Sequence, residues 1–450
     1  MKFDLMTKLQ NAFLLIEKNA ESTDSLSLLS ERKASYALFG EQGFPSKNNE
    51  EWRYTDLRFI EEYDFEPVLG KSEDDLSDEK INSLKIGDGN SDLLVFVNGF
   101  FSRKHSKIKA HDNDIFIGSL RNAAGENDKY AELIGFDYSE SEEAFVNLNN
   151  AFSMDGAFIY IPENVKLTET VQILHIIDTR SFNPLVNIKN IIIADQKSEI
   201  KIIETSAYIG DNIGFVNSVT EITLGCQGAV SYYQLQNESG HLYNLNTTNV
   251  VQKDATNFES NVITLRSKFV RNDLKVIHRG EQSKTILNGF YFPEGNDFVD
   301  NHTKVVHSLA NNSSTQLYKG IIGGQAVAVF DGKVLVMPDA QQTVSEQSNK
   351  NVLLTDEATI HTKPQLEIYA DDVQCSHGAT SGSIDEDSLF YLQARAIGKD
   401  KAMSLLLNAF AADVIDRIGV EELRTSLKGF VAERLGISET DINPLNDDDN

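Results

Sequence analysis

The sequence predicts a mainly β protein in which a parallel β-helix, or solenoid, is flanked by helical domains at both ends. Short apolar strand candidates recur about every 10 to 15 residues between Gly156 and Ile384, with almost no helical pattern among them. Corners rich in Asn, Gly and Asp separate these strands, which is typical of a solenoid. A sandwich or a propeller could also hold many short strands, but no blade-like motif recurs, which weakens the propeller in particular.

The N-terminal region, residues 1–90, is predicted to be a helical domain followed by a linker. Apolar residues repeat at helical spacing from Asp4 to Glu17, and a second helical pattern covers Ser25 to Phe39. Residues 70–90 are rich in Ser, Asp, Glu, Lys and Gly, a composition that favours a linker. We interpret the single tryptophan, Trp52, as a packing anchor of this domain rather than as a ligand-binding residue.

The central region, residues 91–384, is predicted to form the β-helix, with its regular coils mainly in residues 156–384. A helical or irregular insertion is expected near residues 120–150. At about 20 to 29 residues per coil, the regular part would make about 8 to 11 coils. The end coils of a solenoid have open strand edges, so another element or a partner strand must cover them.

Helical patterns return in the C-terminal region, residues 385–450. Asp385 is predicted to cap the first of these helices, and longer helices are predicted from Lys399 to Ile418 and from Glu421 to Leu435. We expect this helical domain to pack on the end of the solenoid or to dock a partner helix.

The composition excludes several classes of function. The net charge of −27 disfavours a nucleic-acid partner, because phosphate binding depends on clustered Lys and Arg. The apolar runs are too short for a membrane span and the N-terminus lacks a signal-peptide pattern, so we expect a cytoplasmic protein with no membrane partner. The two cysteines, Cys226 and Cys375, are far apart in sequence and indicate neither a disulfide framework nor a zinc ribbon.

The stretch from Tyr369 to Thr380 contains the most unusual chemistry of the chain. If it is extended, strand alternation places Val373, Cys375 and His377 on one face. A thiolate and an imidazole suit zinc, copper or the iron of an iron–sulfur cluster. A structural metal site needs about four ligands, so either other residues converge here or another protein supplies the rest. The alternative is a buried structural cysteine beside a hydrogen-bonded histidine.

Other candidate motifs are rejected on spacing. His302 and His307 are five residues apart, so on a strand they face opposite sides and should not share a metal. The stretch Gly280–Thr285 lacks the second glycine of a phosphate-binding loop. Asp371 and Asp372 are adjacent, so a turn explains them better than a pair of catalytic carboxylates.

Taken together, several stretches resemble the SufD family of iron–sulfur cluster assembly scaffolds. Residues 394–397 read Ala-Arg-Ala-Ile where that family usually has Ser-Arg-Gly-Ile, which is the one departure. The related SufB scaffolds typically carry a Glu-His-Glu-Ala-Thr-like segment where this chain has Cys-Ser-His-Gly-Ala-Thr, so SufD is the better match. The stretches that carry the resemblance are Glu51–Thr55, Tyr318–Ile321, Ala340–Thr343, Gln347–Asn349, Pro364–Val373, Cys375–Thr380 and Leu389–Leu392.

The resemblance implies a right-handed parallel β-helix that forms a heterodimer with a SufB-like scaffold through the β-helix. It also implies that a SufC-like ATPase docks on the C-terminal helical domain and binds the ATP. By the same resemblance His377, with Cys375 nearby, lies close to the SufB interface and helps to build the nascent iron–sulfur cluster. The chain alone would then hold no firmly bound cofactor and would be a scaffold rather than an enzyme, with a homodimer conceivable when it is isolated.

Two alternatives remain open at the level of the sequence. One is a SufB-like scaffold that forms homodimers. The other is a β-helix enzyme acting on polysaccharide, which predicts a secreted protein with an exposed groove of carboxylates and aromatic residues. The lack of a signal-peptide pattern disfavours the second alternative.

Overall fold

The computed structural model shows a parallel β-solenoid of about 7 turns with helices at both ends. The structure describes residues 4–20, 26–71, 75–87, 91–111, 114–126, 128–134, 143–238 and 240–437. The predicted fold class is therefore confirmed. The right-handed sense of the coils stays a prediction, as do the domain boundaries, and the last 13 residues of the predicted C-terminal domain (438–450) lie outside the described residues.

Within the described residues, the strands form two ten-stranded sheets. The first runs in the order β19-β17-β15-β13-β11-β9-β7-β5-β4, with β1 beside β7, and the second runs β20-β18-β16-β14-β12-β10-β8-β6-β2-β3. The strands are β1 (Phe65–Pro67), β2 (Asp92–Val97), β3 (Phe100–Phe101), β4 (Phe116–Ser119), β5 (Ala157–Ile161), β6 (Lys166–Asp178), β7 (Asn183–Ala194), β8 (Glu199–Ile209), β9 (Gly214–Leu224), β10 (Ala229–Asn237), β11 (Leu242–Gln252), β12 (Asn257–Arg266), β13 (Phe269–His278), β14 (Lys284–Tyr291), β15 (Phe298–His307), β16 (Ser313–Ile322), β17 (Val327–Val336), β18 (Thr343–Leu353), β19 (Thr359–Ile368) and β20 (Val373–Gly382).

Each coil contributes one strand to each sheet, so the solenoid is a flattened tube with two broad faces. From β7 to β20, residues that stack in successive coils are 26 to 32 positions apart, as in the pairs Tyr243–Phe269 and Val327–Thr359. The expectation of about 8 to 11 coils was therefore wrong, and the structure has about 7. The reason is that most strands are 10 or more residues long, which lengthens each coil.

One corner of every coil turns through a non-glycine residue with a left-handed backbone. At Asn311, for example, φ is 62°, and its backbone N–H donates to the carbonyl of Gln341 in the next coil. The same bond joins Gln342 to Asp372 at the last corner. These corners stack along the solenoid and set its coil spacing. The residues concerned are Asn164, Lys197, Gln227, Ala255, Gln282, Asn311 and Gln342.

The helices lie at the N-terminal end and along the flank of the solenoid. No helix in the described ranges is long and apolar enough to cross a membrane. The helices are α1 (Leu5–Ala20), α2 (Leu26–Gln42), α3 (Phe59–Glu62), α4 (Asp78–Leu84), α5 (Leu120–Glu126), α6 (Asp128–Leu133), α7 (Ala144–Phe152), α8 (Glu386–Gln393), α9 (Lys399–Ile415) and α10 (Glu421–Arg434).

The N-terminal helices pack on the outer face of the first sheet through an aromatic cluster. Phe59 of α3 stacks on Tyr243 of β11, with ring centroids 4.1 Å apart. Helix α4 lies inside the stretch predicted as a linker. Its Ile81 is buried against Val95 and Ile176, so the apolar side chains of this stretch dock it on the solenoid.

The C-terminal helices pack on the outer face of the second sheet. Leu407 of α9 and Leu427 of α10 are buried against Phe290 of β14 and Ile321 of β16. Of the two alternatives expected for this domain, packing on the end of the solenoid is therefore wrong, and docking of a partner helix stays a prediction. A row of outward apolar residues on the second sheet attracts the helices to the flank and leaves the end coil open.

Candidate functional site

The last coil carries the two residues that the sequence predicts as metal ligands. Strand β20 pairs in parallel with β18 so that Cys375 is opposite Ser345 and His377 is opposite Gln347. Ser345 and Gln347 are buried and face the interior of the solenoid. Because paired residues of parallel strands point to the same side, Cys375 and His377 continue that interior face. The shared face predicted from strand alternation is present, and the metal-binding role stays a prediction.

Cys375 is a free, half-buried thiol. Its side chain packs against a small apolar cluster that contains Val334, Val336 and Ala370. Burial raises the pKa of the Cys375 thiol, and a hydrogen bond from the backbone of Ser345 partly offsets the rise. The thiol therefore has both structural contacts and an open side, so its surroundings fit a packed cysteine as well as a ligand.

His377 is exposed on the open end of the solenoid. In the part of the chain that the structure describes, no group of three or more His, Cys, Asp or Glu side chains could hold a metal ion. The pair Cys375 and His377 thus remains two ligands short of the usual four. Within the described residues, no further side chain completes the site.

A row of hydrogen-bonded side chains runs through the interior toward Cys375. His278 Nδ1 lies 3.1 Å from His307 Nδ1, and His307 Nε2 lies 2.9 Å from the hydroxyl of Ser314. The hydroxyls of Ser314 and Ser345 are also 2.9 Å apart. The row therefore ends at Ser345, directly beneath Cys375.

Both histidines of this row are neutral at physiological pH. Burial lowers the pKa of His278 to about 3, with the neighbouring His307 ring adding to the effect, and burial lowers the pKa of His307 to about 4. Two neutral rings can share one proton between their nitrogens without an uncompensated buried charge. Sequence reasoning missed this row, although the spacing of 29 residues between the two histidines matches one coil.

His302 lies on the other side of the same strand, as the spacing predicts. Its ring forms an ion pair of 2.9 Å with Asp300 on the outer face of β15, whereas His307 faces the interior. The charge of Asp300 raises the pKa of His302 despite the opposing effect of burial. The two histidines therefore belong to different sites.

Trp52 has the packing role that the sequence favours. Its ring lies 5.3 Å from that of Phe145, and the guanidinium of Arg271 lies 3.9 Å from its centre. Arg271 is buried and donates to Asp300 at 2.8 Å and to Thr55 at 3.2 Å. We call Trp52, Thr55, Arg271 and Asp300 the Arg271 cluster. It fastens the N-terminal region to the first sheet.

Among the strands that the structure describes, none lies beyond the terminal coil. Strands β19 and β20 each stand last in the order of their sheet, and each pairs on one side only among the described residues. At the corner between them, Ile368 is 39% exposed and Tyr369 is 62% exposed. Two free strand edges and an exposed apolar corner therefore surround Cys375 and His377.

Fold and site together define a parallel β-solenoid whose open terminal coil presents a thiol and an imidazole from the interior face. A family model of the SufBD core domain of SUF system iron–sulfur cluster assembly matches residues 176–410, and a model of the SufBD N-terminal region matches residues 5–173. The chain therefore belongs to the SufBD family of iron–sulfur cluster assembly proteins, and the resemblance found in the sequence is confirmed.

Curated relatives agree over nearly the whole chain. An iron–sulfur cluster assembly SufBD family protein of Synechocystis is 30% identical over 421 residues, which cover 92% of each chain. The chloroplastic protein ABCI7 of Arabidopsis thaliana is 29% identical, covering 92% of this chain and 87% of the relative. The iron–sulfur cluster assembly protein SufD of Escherichia coli is 27% identical, covering 87% of this chain and 90% of the relative.

Proposed function

We propose that this chain is a non-enzymatic scaffold subunit of a complex of the SufB–SufC–SufD type, in which a nascent iron–sulfur cluster is assembled at the open terminal coil. The observation that carries the proposal is the placement of Cys375 and His377 on an interior face that the described part of the chain leaves uncovered. The cluster is the product of the complex. The chain alone binds no cofactor firmly.

The free edges of β19 and β20 support a partner that is itself a β-solenoid. Main-chain groups at a sheet edge bind an added strand, as in other cases of β-strand addition. A SufB-like scaffold whose own terminal strands pair with these edges would continue both sheets across the seam. It would also supply the ligands that Cys375 and His377 lack.

In this arrangement His377 binds iron of the nascent cluster. Its ring is exposed at the seam, and a neutral imidazole is a good ligand for iron. Cys375 is the second candidate ligand. Its half-buried position also leaves it able to serve as a structural thiol under the cluster.

A SufC-like ATPase docks on the C-terminal helical domain and binds the ATP. Helix α8 presents Phe390, which is 71% exposed, and Tyr391, which is 54% exposed. Apolar side chains at such exposure indicate a partner surface when they are adjacent. ATP hydrolysis in that partner would move the two scaffolds relative to each other in the cytoplasm and expose the seam.

The test is reconstitution of the complex with His377→Ala. We expect the variant to co-purify with the SufB-like and SufC-like subunits while the yield of iron–sulfur cluster, read by its visible absorption, falls severalfold. The matched control is His361→Ala on β19. The ring of His361 faces away from the interior and stacks on that of Tyr54, with ring centroids 4.0 Å apart. Normal cluster yield with His377→Ala would remove the proposed role of this residue.

The mass of the isolated chain and of its mixtures with partners separates the remaining scaffold alternatives. A stable pair with a SufB-like chain supports the heterodimer. A homodimer that excludes the SufB-like chain would support the alternative of a SufB-like homodimeric scaffold. Family membership in iron–sulfur cluster assembly favours both over the polysaccharide enzyme.

A further inference from the structure

A second row of polar side chains runs through the interior and ends beneath His377. The hydroxyl of Thr303 donates to Gln316 Oε1 at 2.7 Å. Gln347 Nε2 donates to the same oxygen at 3.3 Å. All three residues are buried, with Gln316 and Gln347 each only 1% exposed. The row therefore connects β15, β16 and β18 and stops one strand short of His377.

The side chain of Gln347 is held in one place. Its Nε2 is tied to Gln316, and it lies over Gly332 of β17, where an added Cβ atom would come within 2.0 Å of Nε2. The glycine therefore makes the room that the amide fills. A side chain so confined keeps its amide oxygen on the side away from Gln316.

Among the residues that the structure describes, His377 included, none donates a hydrogen bond to the buried Oε1 of Gln347, and the buried Nε2 of Gln316 likewise has no acceptor. Leaving such a group without a partner costs on the order of 1–3 kcal/mol, so an oxygen of this kind calls for a donor. The next residue toward the open end, in register on β20, is His377. Neighbouring strands are about 4.8 Å apart, so rotation of the exposed His377 side chain would bring a ring N–H to this oxygen.

The parallel position under Cys375 is different. Ser345 is opposite Cys375, and its hydroxyl is already paired with that of Ser314 at 2.9 Å. Of the two interior residues beneath the candidate ligands, only Gln347 presents an acceptor that the described chain leaves unmatched. The contrast points to His377 as its intended partner.

We propose that Gln347 is a positioning residue whose Oε1 accepts the ring N–H of His377 and thereby holds one tautomer, with the other ring nitrogen facing the seam. Metal-binding histidines almost always donate their second ring N–H to a fixed acceptor, which sets both ring orientation and ligand basicity. The inference rests on the proposed function for the metal role of His377. The hydrogen bond itself concerns the chain alone.

Nuclear magnetic resonance of the full-length chain with ¹⁵N-labelled histidine rings tests the hydrogen bond directly. The His377 signals are assigned by their loss in His377→Ala. In the unsubstituted chain we expect the ring shifts of a single neutral tautomer. In Gln347→Met, which fills the same space without an acceptor, the shifts should move to the average of two tautomers. Unchanged shifts in Gln347→Met would overturn the proposal.

Gln347→Glu checks which atom faces the histidine. A carboxylate keeps the acceptor, so the same tautomer should persist, and a switch to the other tautomer would contradict the assignment of the oxygen. The matched control is Gln374→Met, because Gln374 lies on β20 but faces outward and is exposed. A tautomer mixture in this control would show that the effect is not specific to Gln347. Should Gln347→Met fold poorly by circular dichroism, Gln347→Asn, whose shorter amide cannot reach His377, takes its place.

Cluster yield in the reconstituted complex gives the second measurement. Loss of an orienting partner typically lowers metal affinity or activity about 10- to 100-fold, so Gln347→Met should lower cluster yield while Gln374→Met should not. If His377→Ala leaves yield unchanged but the tautomer depends on Gln347, the metal role fails and the hydrogen bond stands. If His377→Ala abolishes yield and Gln347→Met changes neither tautomer nor yield, the scaffold function stands and the positioning role fails.

Discussion

The two ends of the solenoid are built differently. At the N-terminal end, short antiparallel strands cover the first coil: β3 pairs with β2, and β4 pairs with β5. Helices α5 and α6 then pack on these strands through Ala123 and Tyr130. At the C-terminal end, β19 and β20 have no such cover within the described chain. A sheet edge that can add strands is blocked at one end and kept available at the other.

The interiors of the two ends differ in the same sense. The first coils enclose an apolar core with Phe96, Ile117 and Ile159, all buried. The last coils still enclose apolar residues such as Phe330, but they also place Ser345 and Gln347 beneath the exposed ring of His377. An apolar interior must be sealed from water, whereas exposed polar groups can stay hydrated. This difference supports the proposal that a partner chain covers the open end.

The largest effect on the free energy of unfolding is expected from a substitution in the Arg271 cluster, which joins the N-terminal region to the first sheet. Asp300→Ala removes the carboxylate of the Arg271 cluster and leaves a buried guanidinium without that partner. Removing one member of a buried ion pair costs about 3–5 kcal/mol. Because Arg271 keeps its ion pair with Asp273, the free energy of unfolding in urea should fall by about 3 kcal/mol, the low end of that range. Asp331→Ala on β17 is the control, since Asp331 lies 3.7 Å from the more exposed Lys363.

The control should lower the free energy of unfolding by about 1 kcal/mol or less, as is usual for pairs near the surface. Equal losses for Asp300→Ala and Asp331→Ala would contradict the view that the Arg271 cluster fastens the N-terminal region to the solenoid.

A smaller effect on the free energy of unfolding is expected at Glu238, a buried carboxyl in an inner coil. Glu238 is fully buried, and burial raises the pKa of its carboxyl to about 7. Hydrogen bonds from Ser206 and Asn244 lower this pKa, but by less than burial raises it. A raised pKa gives stability that is complete below the unfolded value of 4.5 and is lost as the pH rises through about 7. Glu238→Gln should therefore increase the free energy of unfolding at pH 8 by about 1–3 kcal/mol and have little effect at pH 4.5.

Urea denaturation at both pH values measures this, with the exposed Glu163→Gln as control. The control should show the same pH dependence of the free energy of unfolding as the unsubstituted chain. The prediction is contradicted if Glu238→Gln shows that same pH dependence too.

The smallest effect on the free energy of unfolding is expected at the exposed surface of α8. Phe390→Ala on α8 removes a side chain that is 71% exposed, so the free energy of unfolding should change by no more than about 0.5 kcal/mol. Binding of the SufC-like ATPase, measured by titration calorimetry, should nevertheless weaken about tenfold, because exposed aromatic anchors carry much of the affinity of an interface. Leu14→Ala, 57% exposed on α1, should not change that affinity. Unaltered binding by Phe390→Ala would place the ATPase elsewhere.

Much of the site could be predicted because strand alternation is local. The positions of Cys375 and His377 on one face follow from two-residue spacing alone, and the structure has them so. The row of His278 and His307, and the amide of Gln347, could not be predicted in this way. Their contacts join residues about one coil apart, and the coil length was itself misjudged because strand ends are not marked in the sequence.

The sequence by itself determined the strand-rich core, the helical ends and the family, since these depend on periodicity and on short motifs. Only the tertiary structure decided that the C-terminal helices lie on the flank, and that the interior face opens to solvent at His377. The physical reason is that the position of a helix depends on which apolar surface it packs against, and the residues of that surface are distant in sequence. The helices bury more by covering Phe290 and Ile321 on the side of the solenoid than by closing its polar end.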